Sequence, residues 1–177
     1  MPSRYFFLSS LPMLRYSANA PISWDAFMSS ARGAVSASDY KLLEAVSTGS
    51  YGGISDPFLR KWADMNASVS EAVNAQRRQK LGRPSEGGAV FLGYGEEKIS
   101  NAVINAKNPL EAEMLLLAYQ YEWLETEKGY DPFTKAAMLA YALELRILIR
   151  KDLFTVEKGN GEYKRLFDIV QRDIRME

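Results

Sequence analysis

Histidine and cysteine are both missing from the 177 residues. Without imidazole the chain lacks the commonest general base near neutral pH and the commonest transition-metal ligand, which removes most hydrolase triads and zinc sites. Without a thiol there is no disulfide framework, thiolate nucleophile or cysteine metal site, a usage that suits a reducing cytoplasm. An excess of either charge is missing too: 22 Lys plus Arg balance 22 Asp plus Glu, so no global field favours nucleic acid or anionic lipid. Nor does any uninterrupted apolar run reach the roughly 18 residues of a membrane span. The closest, 136–149, is broken by Glu144 and Arg146. The opening MPSRYFFLSSLPMLRYSANAPISW sets Arg4 before an apolar stretch, as a signal peptide does. Ser9, Ser10 and Pro12 interrupt that stretch and no small-residue cleavage site follows, so it reads as mature structure.

What is present belongs to an ordinary globular chain, 47% apolar and 25% charged, long enough for a single domain over 1–177 with residues 1–55 as a candidate small N-terminal lobe. DPF at 56, NPL at 108 and DPF at 131 each offer Asp or Asn as a helix N-cap, with Pro at the first helical position. The spacing predicts a helix from Pro57 to about Leu81, with Phe58, Trp62, Met65, Val69 and Val73 on one face. A second runs from Pro109 to Lys128, aligning Leu110, Met114, Leu117, Tyr121 and Leu124, with Gly129 just past its end. Asp131 then caps a third, Pro132 to about Leu153, apolar on nearly every side. The short connection makes these two an antiparallel hairpin. Residues 161–175 form a last amphipathic helix, with Tyr163, Leu166, Phe167, Val170 and Ile174 inward. Shorter helices fit 23–33 and 38–47, capped by Ser23 and Ser38, and 96–107. The expected fold is therefore an all-α multi-helix bundle of antiparallel hairpins, with an irregular loop or short strand near 87–95.

Few residues invite chemistry. GGAVFLGYGEEK resembles a phosphate loop only until Gly95, which is followed by Glu96 and Glu97 instead of the Lys and hydroxyl such a loop requires. Glu122 and Glu125 share a helix face, but the di-iron pattern needs a His, so a solvated face is the simpler reading. An enzyme using carboxylates or Tyr would need a deep pocket lined by convergent Glu and Lys side chains. Arg77 and Arg78, with Lys80 and Arg83, complement a helix C-terminus and could also meet an anionic partner. Glu144 and Arg146 sit two residues apart, about 200° around a helix, and cannot pair with each other. Each needs a partner elsewhere, inside the chain or on another protein, and Arg150 shares the Arg146 face. The candidate interaction residues are thus Glu144, Arg146, Arg150, Arg77 and Arg78. No catalytic, metal or cofactor residue is expected.

DPFTKAAMLAYALELRILIRK resembles the last repeat of the C subunit of V/A-type ATPases, called d in eukaryotic enzymes, at Pro132, Phe133, Tyr141, Glu144, Arg146 and Leu148. YFFLSSLPML and PISWDAF resemble a small bacterial family encoded among V/A-type ATPase genes. The resemblance implies an all-α, non-catalytic central-stalk component linking the rotor shaft to the membrane proteolipid ring in ATP-coupled proton or sodium transport. It would lie in the cytoplasm, peripheral to the membrane, with other ATPase subunits as partners. The C subunit is much longer and built from similar helical units, so the implied relative is a shortened form. A stand-alone helical adaptor or assembly factor is the alternative.

Overall fold

The aliphatic run that Glu144 and Arg146 interrupt forms the axis of the molecule. The computed structural model describes residues 4–51, 55–83 and 94–154. They form an all-α bundle: α1 (Arg4–Ser10), α2 (Trp24–Ala31), α3 (Ala37–Thr48), α4 (Pro57–Lys80), α5 (Tyr94–Ile104), α6 (Pro109–Glu127) and α7 (Lys135–Leu153). No strand occurs among the described residues. The helix expected at 161–175 lies outside them, as does the loop or strand near 87–95 apart from Tyr94 and Gly95, which open α5.

Two of the three expected starts behave as their local chemistry dictates. Asp56 accepts from the backbone N–H groups of Phe58 and Leu59 ahead of Pro57, and Asn108 accepts from Glu111 N–H ahead of Pro109. The third does not. Asp131 accepts from Phe133 N–H at 2.9 Å in a turn, and the helix begins three residues later than expected, at Lys135. Thr134 supplies the cap, accepting from Ala137 N–H at 3.0 Å; a competing hydroxyl downstream leaves Asp131 and Pro132 to reverse the chain. Gly129 takes a φ of 77° there, a left-handed value that favours Gly. Likewise Ser36, not Ser38, caps α3. The short helix α1 has no repeating apolar face to announce it. It is held by Phe7 in the core and by a 2.9 Å ion pair between Arg4 and buried Asp39.

Side-chain pairs fix the directions. Glu113 near the start of α6 meets Arg150 near the end of α7 at 2.6 Å, while Lys128 beyond the end of α6 reaches Glu144 at 3.3 Å, so the pair is antiparallel. Lys61 to Glu127 at 3.0 Å and Gln120 to Asn66 at 2.6 Å set α4 antiparallel to α6. Gln76 to Ser100 and Lys80 to the Ile104 carbonyl run α5 parallel to the second half of α4. The α4 stripe predicted from spacing is buried throughout; on α6 Leu117, Tyr121 and Leu124 are buried whereas Leu110, in the first turn, is exposed.

Helix α7 is buried around its whole circumference from Ala137 to Leu148, excepting Tyr141 and Arg146. It contacts α1, α2, α3, α4 and α6. One hydrophobic cluster consequently runs from Phe7 through Leu43 and Leu59 to Leu148. The irregular chain between α1 and α2 is held by side chains of the α6–α7 hairpin. Tyr141 donates to the Pro12 carbonyl, Lys151 to those of Tyr16 and Ala18, and Asp152 accepts from Ala20 N–H. Backbone groups that no helix satisfies are thereby paired. Among the described residues no helix is long and apolar enough to cross a membrane.

Candidate functional site

A groove of about 580 Å³ opens where α1 and residues 11–14 lie across the turn between α6 and α7. Its rim is apolar and unusually bare: Met13 is 76% exposed, Phe133 36%, and Tyr130 stands fully in solvent. Beside the groove Tyr5 packs on Phe133 with ring centroids 4.4 Å apart and on Phe6 at 5.5 Å, which extends the apolar surface from Phe133 to α1, where Phe6 is 74% exposed. Contiguous apolar surface of this kind is uncommon on a protein that meets only water.

The floor is ionic. Glu144 is 3% exposed and reached by Lys128 at 3.3 Å, but Lys128 lies nearer Glu125, at 2.7 Å. Burial pushes the Glu144 carboxyl up to about 7; Lys128 opposes the rise and the charge on Glu125 adds to it. Burial alone would lower Lys128, yet its bond to Glu125 and the fields of both carboxylates outweigh that and raise its pKa. Burial and the Glu144 charge likewise push the Tyr121 and Tyr141 phenols up, so both remain protonated. A carboxylate can accept about four hydrogen bonds. The buried Glu144 side chain accepts one, from Lys128, whereas Glu125 is open to water, so Glu144 is the less satisfied member of the group. Among the described residues, no three acidic side chains converge as a metal-ligand set.

Arg146 faces the other side of α7. Its guanidinium donates to the carbonyls of Val46 and Ser47 and lies 5.7 Å from the Trp24 ring centroid. Those carbonyls belong to the last turn of α3, where a cation is favoured by the helix dipole and by the unpaired oxygens. Its partner is therefore internal and is backbone rather than a carboxylate. Arg146→Leu should lower stability by about 1–2 kcal/mol through lost hydrogen bonds and ring contact. Arg150→Glu, which removes an exposed pair with Glu113, should change it by less than about 1 kcal/mol. Urea melts of the two variants check the ordering, and an Arg150 effect larger than the Arg146 effect would reverse the assignment.

The five residues singled out from sequence are not brought together. Glu144 floors the groove, Arg146 and Arg150 border a separate cleft of about 380 Å³ beside Trp24 and Trp62, and Arg77 and Arg78 lie exposed in the last turn of α4. Sequence reasoning missed Lys128 and the exposed apolar residues Tyr5, Phe6, Met13 and Tyr130. The only cue was aromatic residues beside turn-forming Gly129 and Pro132, in segments with no helical period to bury them. No protein-family model, curated protein or solved structure matches the chain.

Proposed function

We propose that the chain is a non-catalytic docking component of a V/A-type ATPase or ATP synthase, a shortened C-like central-stalk subunit between the rotor shaft and the proteolipid ring. In that role it acts at the cytoplasmic face of the membrane, contributes to ATP-coupled proton or sodium transport and needs no cofactor. The observation that supports this reading is how the segment resembling the C subunit is used. Tyr141, Glu144 and Arg146 tie α7 to the 11–14 segment, the α6 end and α3, while Leu148 fills the core. A helix clamped on all sides is stiff, and a stiff body with a bare aromatic groove is suited to transmitting force between two partners. Affinity purification of the tagged chain from cells that encode it should recover the intact ATPase with the chain in fixed stoichiometry. Absence of the chain from the assembled enzyme would end this reading. Recovery only with immature complexes would instead favour the stand-alone adaptor or assembly factor.

A catalytic reading has one observation in its favour: Glu125, Lys128 and Glu144 converge in a groove, and a carboxyl that titrates near neutrality suits general acid–base work. It ranks lower on geometry. Lys128 is engaged by both carboxylates and the Tyr141 hydroxyl by the Pro12 carbonyl, so both would have to leave their partners before meeting a substrate.

A further inference from the structure

We infer that the groove beside the α6–α7 turn receives a partner polypeptide that lays apolar side chains on the Met13–Tyr130–Phe133 rim and sends one Lys or Arg down to Glu144. This rests on reading the chain as a docking protein and adds the surface and the chemistry of its partner.

Two independent features converge on that occupant. The rim, with Tyr5 and Phe6 packed beside Phe133, is a set of large exposed apolar side chains, of the kind that forms the buried centre of protein interfaces. Below it, Glu125 and Glu144 share a single cation, Lys128, so the floor has one carboxyl more than it has cations and turns net negative as Glu144 ionises. Arg4 and Lys135 are engaged elsewhere, by Asp39 at 2.9 Å and by Asp56 at 2.6 Å. A buried carboxylate whose one donor, at 3.3 Å, is shared with Glu125 keeps accepting capacity that an arriving ammonium or guanidinium would fill.

The same charge argues against other occupants. An acidic peptide or an anionic lipid headgroup would be repelled by the floor. A second copy docking groove to groove would oppose two negative sites. A purely aliphatic segment would satisfy the rim but seal Glu144 from water without a new partner.

The test uses the full chain in the cell that encodes it, with a photo-crosslinking amino acid in place of exposed Met13 and the crosslinked peptide sequenced by mass spectrometry. The expected product joins position 13 to an apolar peptide of another polypeptide that contains Lys or Arg. Glu144→Gln should lower its yield at least about tenfold, as loss of a buried interfacial charge partner does. Tyr130→Ser, at a fully exposed site, should lower it severalfold; melts of both purified variants show that the fold is kept. Crosslinks to a second copy, to lipid, to a peptide without a basic residue, or to nothing would overturn the inference. So would a yield indifferent to Glu144→Gln in a folded variant. The identity of the captured protein decides the proposed function separately. A basic apolar peptide from outside the ATPase keeps this inference and ends the other, whereas an ATPase peptide lacking a cation does the reverse.

Discussion

Leu148→Ala is expected to destabilise the protein by about 3–4 kcal/mol, the range for a fully buried leucine whose cavity cannot collapse. The residue has no solvent exposure and lies on α7, which five other helices contact. Collapse around a truncated side chain requires a neighbour free to move inward. Here α7 is held on separate sides by Lys128, Arg146 and Lys151, so the cavity should persist. For a chain of this size the loss corresponds to about a 10 °C fall in melting temperature. Leu153→Ala on the same helix is the control. It removes the same atoms from a side chain 56% exposed, leaves helix propensity undiminished, and should change stability by less than about 0.5 kcal/mol. Differential scanning calorimetry of the two variants measures the contrast. Similar small effects at both positions would mean that α7 is not the axis of the bundle.

That axis was readable from the sequence because its signal is local: an apolar run without a polar face has to be surrounded. The same holds for the caps at Asp56 and Asn108 and for the α4 stripe, each of which depends on residues within a turn or two. The errors at Asp131 and Ser38 arose where two capping groups lay close together, so that tertiary packing chose between Asp131 and Thr134, and between Ser38 and Ser36. The groove was not readable because its parts come from α1, an irregular segment and a turn, joined by contacts more than a hundred residues apart such as Tyr141 to Pro12. Spacing did show that Glu144 and Arg146 could not pair with each other. It could not show that Arg146 binds the carbonyls of α3, since acceptance by backbone leaves no mark on residue identity.

Glu144→Gln should stabilise the protein at alkaline pH while doing little in acid, the opposite of what removing a well-paired carboxylate does. Burial raises the Glu144 pKa from 4.5 to about 7, with Lys128 opposing and Glu125 reinforcing the shift. Between those two values the folded chain holds a proton that the unfolded chain has released. Stability therefore falls as pH rises through this window and levels off above about pH 7. A displacement of this size corresponds to about 3 kcal/mol. Gln keeps the shape but has no charge to desolvate, and Lys128 retains Glu125 at 2.7 Å. The groups facing Glu144 in the fold are Glu125, Lys128 and the phenols of Tyr121 and Tyr141, and the last three have raised pKa values and do not titrate in the window. Urea melts of both proteins at intervals from pH 4.5 to 8 cancel the other titrations when their stabilities are subtracted. The difference should grow by about 3 kcal/mol in favour of Gln across that range. A flat difference would mean that Lys128 already neutralises the carboxylate, leaving no unmet charge for a partner's cation to satisfy. A rising one would identify Glu144 as a group that this fold holds at a cost, and the bare aromatic rim above it shows where relief could enter.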